Sequence, residues 1–207
     1  MKVSSHSFKD QGVIPGEFAF AIKHPQDRIQ LSTNRNPHIN WSDAPANTQS
    51  FALICHDPDV PSVGTDVNQE GRTVPASLAR VDFYHWVLLN IPAHQSEIAA
   101  GSHSNGVTAK GKPAQAPLGQ HGINDYTAWF NGDAQMGGDY YGYDGPCPPW
   151  NDEIKHHYVF TVYALDTPSI SMGTRFTGAE ALAAIRPHIL ASAAITGIYS
   201  LNPAVAL

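Results

Sequence analysis

Apolar residues fall in short runs along this chain, separated by turn-forming residues. Phe51-Ala52-Leu53-Ile54-Cys55-His56 lies between Asn47-Thr48 and Asp57-Pro58, the pattern of a buried strand that ends at a turn. Phe83 to Ile91 forms a second run, stopped by Pro92, and Tyr158 to Leu165 a third, rich in the aromatic and β-branched residues that suit a pleated surface. Strands of this kind, spaced by long irregular stretches, predict an antiparallel or mixed sheet rather than a regular β-α-β succession. Thr177-Gly178-Ala179-Glu180 has capping-box spacing, and Ala181 to Ala194 consists mostly of good helix formers. The pattern predicts one late helix, kinked or divided at Pro187. The segment from Gly101 to Trp150, rich in Gly, Asn, Asp, Tyr and Pro, is too long for a passive connection, and loops of that length commonly line a site.

Side chains alternate across a strand, so Phe51, Leu53, Cys55 and Asp57 share one face. The same rule groups Phe83, His85, Val87 and Leu89 on the second strand, and His156, Tyr158, Phe160 and Val162 on the third. Each strand thus offers polar groups near one end and apolar groups farther along. If those ends lie together, Asp57, His85, His156 and Tyr158 surround a polar cavity above an apolar floor. The same residues also admit a plain structural reading, since Asp57-Pro58-Asp59 is a good turn in which an Asp caps its own backbone, and a His in an apolar strand can be a bonded core residue.

Composition limits the functions available. The 207 residues are 42% hydrophobic, ample for a core, and no repeat or Ser/Gly linker divides them, so one domain over 1–207 is expected. Twelve Lys+Arg stand against 18 Asp+Glu, a net charge of -6, with no basic cluster of the kind a nucleic-acid binder needs. A small local anion site is compatible with that balance, because the 11 His nearly equal the Lys+Arg and add positive charge switchable near neutral pH. No leader-like pattern and no apolar run of roughly 18 residues is present, so a cytoplasmic protein without a membrane span is expected. Cys55 and Cys147 are expected to be free thiols. The apolar segment from Ala181 to Leu207 could cover the pocket, pack on the sheet or form a homodimer.

Several segments together resemble the phosphatidylethanolamine-binding protein family, especially its bacterial branch described as Raf-kinase-inhibitor-like. They are Gly12-Val13-Ile14-Pro15, Asn36-Pro37-His38-Ile39-Asn40-Trp41, and Ser50 to Pro61 with its Asp-Pro-Asp-Val-Pro core. His85 to Pro92, Gly145-Pro146-Cys147-Pro148-Pro149, His156-His157-Tyr158 and Val162 to Leu165 follow in order. The resemblance implies a mostly β fold, with a large antiparallel central sheet, a smaller sheet, peripheral helices including a C-terminal helical segment, and one pocket at the sheet edge that accepts phosphate-like anions. It assigns ligand binding to Asp57, His85, His156 and Tyr158, shaping of the loop to Asp59 and Pro61, and part of the rim to Gly145 and Pro146. It also implies a non-proline cis peptide at Val81-Asp82, which would make Asp82 pocket-shaping. His157 departs from the pattern by standing where the family often has Arg, exchanging a permanent charge for a titratable one.

A phosphate monoester carries up to two negative charges and several acceptor oxygens, so its pocket needs N–H and O–H donors. His85, His156 and Tyr158 supply such donors. Asp57 would orient a His and favour its imidazolium, or receive a ligand ammonium. The expected function is non-catalytic binding of a small phosphorylated or otherwise anionic ligand, without cofactor or metal, with regulation of a protein partner as a further expectation. The alternative from another class is a metal-dependent or acid-base hydrolase built on Asp57, His85 and His156. A protein-interaction module with an incidental pocket is a third reading. A nucleophilic enzyme has less support, since there is no Gly-x-Ser-x-Gly turn and Cys147 lies between two prolines.

Overall fold

The computed structural model describes residues 1–207. Eleven strands form in chain order: β1 (Lys2–Ser4), β2 (Gly12–Val13), β3 (Ala21–His24), β4 (Arg28–Leu31), β5 (Ile39–Ser42), β6 (Ser50–Pro61), β7 (Arg80–Pro92), β8 (Glu97–Ile98), β9 (Gln120–His121), β10 (His156–Leu165) and β11 (Ile189–Tyr199). Two short α-helices, α1 (Tyr126–Trp129) and α2 (Gly178–Ile185), accompany them. Six strands build the central sheet in the order β2-β11-β10-β6-β7-β9. The three strands expected from the hydrophobic pattern are therefore neighbours, with β6 antiparallel to both β7 and β10.

The central sheet is antiparallel except where β2 joins β11 in parallel, which makes it mixed, one of the two forms the pattern predicts, and two smaller sheets accompany it, β1-β5-β8 and β3-β4. Three expectations need correction. The late helix forms with its capping box, Thr177 accepting from the Glu180 amide while the Glu180 carboxylate accepts from the Thr177 amide. It stops at Ile185, however, and residues 189–199 are a strand paired with β10 over its whole length. Pro187 cannot continue the helical ladder, and pairing with a long buried neighbour overrides the helix propensity of the alanines that follow. β6 also runs past Asp57 to Pro61, so Asp57-Pro58-Asp59 is a bulge within a strand rather than a turn at its end. Finally, every peptide bond is trans, including Val81-Asp82.

The sheet buries apolar residues on both faces. Leu53, Cys55, Trp86, Leu88, Tyr158, Phe160 and Val162 belong to the larger core. Ala52, Ile54, Val87 and Leu89 pack on the other face beneath Ala181 and Ile185 of α2. Simple alternation fails within β7. Cys55 pairs with Trp86 but His56 pairs with Tyr84, which makes His85 the extra residue of a bulge. That bulge separates Phe83 and His85, which face a cavity, from Val87 and Leu89, which join the helix-covered core. Bulges commonly re-aim side chains in this way beside functional sites. Both cysteines are free.

Candidate functional site

The polar ends of β6, β7 and β10 meet at the base of a cavity of about 400 Å³. The β6–β10 ladder ends at the Val159–His56 pair, and just beyond it His156 at the start of β10 reaches Asp57 on β6. Its Nδ1 lies 2.7 Å from Asp57 Oδ2 and its Nε2 3.1 Å from Asp152 Oδ2. Carboxylate oxygens accept, so both ring nitrogens carry protons and the ring is an imidazolium. Burial alone opposes that charge, but Asp57 and Asp152 outweigh it and hold the pKa at about 9. Arg80 closes the array with a bidentate pair to Asp152, at 2.5 and 3.0 Å. Two carboxylates thus face one imidazolium and one guanidinium, a buried network without excess charge.

His85 is arranged differently. Its Nδ1 is 2.7 Å from the Asp144 carbonyl oxygen, which can only accept, so Nδ1 carries the proton and Nε2 of the neutral ring is left with a lone pair. Burial lowers the His85 pKa, against the opposing pull of Asp57 and the Asp144 carbonyl, and favours that neutral ring. The Asp144 side chain is fixed in turn by Asn34 and Lys112 on one oxygen and Asn124 on the other. Tyr158 completes the floor, its ring 5.1 Å from His85 in an edge-on contact. Its buried hydroxyl makes no well-aligned hydrogen bond in the protein, and burial, reinforced by the nearby Asp57 carboxylate, pushes its pKa well above 10. An unpaired buried hydroxyl costs about 1–3 kcal/mol.

The structure therefore divides the four residues expected to bind ligand. Asp57, His85, His156 and Tyr158 all line the cavity, but both donors of His156 are engaged by carboxylates, leaving Tyr158 and the Nε2 side of His85 as polar groups without protein partners. Asp57 Oδ2 accepts from His156, and Oδ1 accepts from the Asp59 amide at 2.8 Å. Among the expected shaping residues, Pro61 lines the cavity. Asp59 lies behind the lining, accepting from the His157 amide and facing its Nδ1, at 2.8 and 2.7 Å. Gly145 and Pro146 are buried below the rim, where Gly145 accepts from the Tyr126 hydroxyl. Asp82 is exposed and does not reach the cavity. No group of three or more His, Cys, Asp or Glu converges as a metal ion requires.

The walls were largely invisible in the sequence. The 101–150 segment contributes Tyr126, Trp129, Phe130, Met136, Cys147, Pro148 and Pro149, as its length suggested. Phe20, Ile29 and Leu31 come from the β3-β4 region, which no motif had linked to a site. Val67 and Asn68 are held at the mouth by Asn151, whose amide donates to the carbonyls of Asp66, Gln69 and Arg72.

A mixed β-sheet with a pocket where its central strands end is the architecture of a known class, and comparison with known proteins agrees with it. The family model described as phosphatidylethanolamine-binding protein matches residues 4–200. The chain belongs to this family, in the branch of the UPF0098 proteins YbhB and YbcL. It is 30% identical to YbhB of Escherichia coli K12 over 203 residues, 97% of this chain and 100% of that one. The crystal structure of E. coli YbcL superposes with a TM-score of 0.68 at 25% identity, covering 96% of this chain and 97% of that one. A Chlamydia trachomatis homologue, CT736, gives 0.63 at 26% identity, covering 96% of each. No helix is long and apolar enough to cross a membrane.

Proposed function

We propose that this protein is a non-catalytic binder of small phosphate-like anions, which occupy the base of the cavity between His85 and Tyr158. The observation that carries this reading is the pair of unengaged polar groups there, the unpaired Tyr158 hydroxyl and the Nε2 of His85. The hydroxyl donates to one ligand oxygen. The lone pair on His85 becomes a donor when the ring gains a proton, and the resulting imidazolium is stabilised by the anion and by Asp57. His156, locked between Asp57 and Asp152, positions Asp57 instead of touching the ligand. Control of a protein partner by the occupied pocket is compatible with this role.

Because the free His85 ring is neutral, an anion of fixed charge binds with uptake of a proton. Its affinity rises as pH falls, by up to about tenfold per unit between the His85 pKa of the complex and that of the free protein. Isothermal titration of inorganic sulfate is expected to show tighter binding at pH 6 than at pH 8, and loss of that binding in His85→Ala. Binding that persists unchanged in His85→Ala would overturn the assignment.

A further inference from the structure

Three features of the cavity are unexplained by an inorganic anion. Its volume of about 400 Å³ falls in the range of pockets that enclose drug-sized organic molecules. No lysine or arginine lines it, and 13 of its 22 lining residues are hydrophobic. One protonated histidine is then the whole cationic contribution from the lining that an anion could gain beyond the already balanced His156 network.

The apolar residues are also ordered. Phe20 and Tyr126 stack at 4.6 Å with an interplanar angle of 14°, and Phe130 packs against both, 5.7 Å from Tyr126 and 6.2 Å from Phe20. Farther out, Leu31, Val63 and Trp129 are 58%, 53% and 53% exposed, and all three line this cavity. They are three of the seven large apolar side chains that stand most exposed on the protein. Such residues scattered singly need no explanation, but gathered around one opening they mark a binding surface. The polar groups sit at the inner end and the aromatic wall leads outward, so a ligand with an anionic head and a flat apolar body fits in one orientation.

We propose that the ligand is an oxyanion monoester bearing an aryl group, with its charged head against His85 and Tyr158 and its ring between the Phe20-Tyr126-Phe130 wall and Trp129. This rests on the anion reading above and adds the chemical class of the ligand. Sequestering a ring-sized surface from water supplies affinity that the lining cannot supply through fixed charge.

Methyl sulfate and phenyl sulfate test it cleanly, because both are permanently monoanionic and differ only in the body. Titrated into the full-length protein at pH 6, phenyl sulfate is expected to bind at least about tenfold more tightly, the effect of one buried side-chain-sized apolar group. Trp129→Ala, at an exposed position where folding is easily verified by circular dichroism, should bring the ratio of the two affinities towards one, and Phe130→Ala should do the same. Equal affinities in the wild-type protein, or a preference that neither substitution reduces, would overturn the aryl assignment while leaving anion binding intact. If neither ester nor inorganic sulfate binds, the anion reading fails along with it.

Discussion

Tyr158 places a hydroxyl where no protein group makes a well-aligned hydrogen bond to it, and this one group separates a binding role from a packing role. Replacing it with Phe removes an unpaired buried polar atom, so Tyr158→Phe should raise stability by about 1 kcal/mol. The same change deletes a donor to a charged ligand and should weaken sulfate binding about tenfold. Chemical denaturation and calorimetry on the one variant read both effects, and a residue that merely packs would show no change in binding. At this scale the sequence was informative about identity but not about role. Alternation and family resemblance both pointed to Asp57, His85, His156 and Tyr158. Whether a ring nitrogen faces a ligand or a carboxylate depends on Asp152 and Asp144, which neither reading singled out. Asp144 acts on His85 through its main-chain oxygen, and a backbone carbonyl leaves no mark in residue type.

Among the elements, the three central strands were legible because each is a long apolar run with distinct ends. The bulges were not. His85 is aimed at the cavity by one extra residue in β7, and no period-two pattern contains such a residue. The strand β11 was hidden for a different reason, since its alanines satisfy a helical pattern equally well and only pairing with β10 decides the matter. The segment below the rim is held by close contact rather than by propensity. A Cβ on Gly145 would lie 2.1 Å from the Phe18 carbonyl oxygen and 2.9 Å from the Tyr143 hydroxyl. Gly145→Ala must therefore displace main chain, with an expected loss of about 1–3 kcal/mol. It should also disturb the Tyr126 hydroxyl bond and hence the aromatic wall. Thermal unfolding checks the first effect, and a wild-type melting temperature in Gly145→Ala would show that the segment yields freely.

Across the whole molecule, the histidine surplus divides into groups with opposite pH behaviour. His103 and His121 are buried with Nδ1 of the first 2.9 Å from Nε2 of the second. Burial depresses their pKa values to about 4 and about 3, with His103 adding to the effect on His121. Folded values below the ordinary 6.5 mean that stability present above pH 6.5 is lost as pH falls towards 4 and then 3. For His156 the shift is upward to about 9, so its contribution is complete below pH 6.5 and declines as pH rises through 9. Denaturant unfolding from pH 3 to pH 10 should show stability falling on both sides of the neutral region. A value that stays flat from pH 6.5 to pH 10 would contradict the imidazolium assigned to His156. Composition had shown that positive charge here is switchable, but only the folded chain shows that one His is fixed as a cation and two are held neutral, while His85 is neutral and, in the proposal above, poised to take a proton when an anion binds.

That poise is the centre of the account, and proton uptake on binding measures it most directly. Sulfate titrated at pH 7 in buffers of different ionisation enthalpy should give an apparent binding enthalpy that varies linearly with that of the buffer. The predicted slope corresponds to net proton uptake, at most one proton per bound anion, and to none in any binding that remains in His85→Ala. An enthalpy independent of buffer in the wild-type protein would contradict the proposal that the anion is held by a histidine charged in the act of binding.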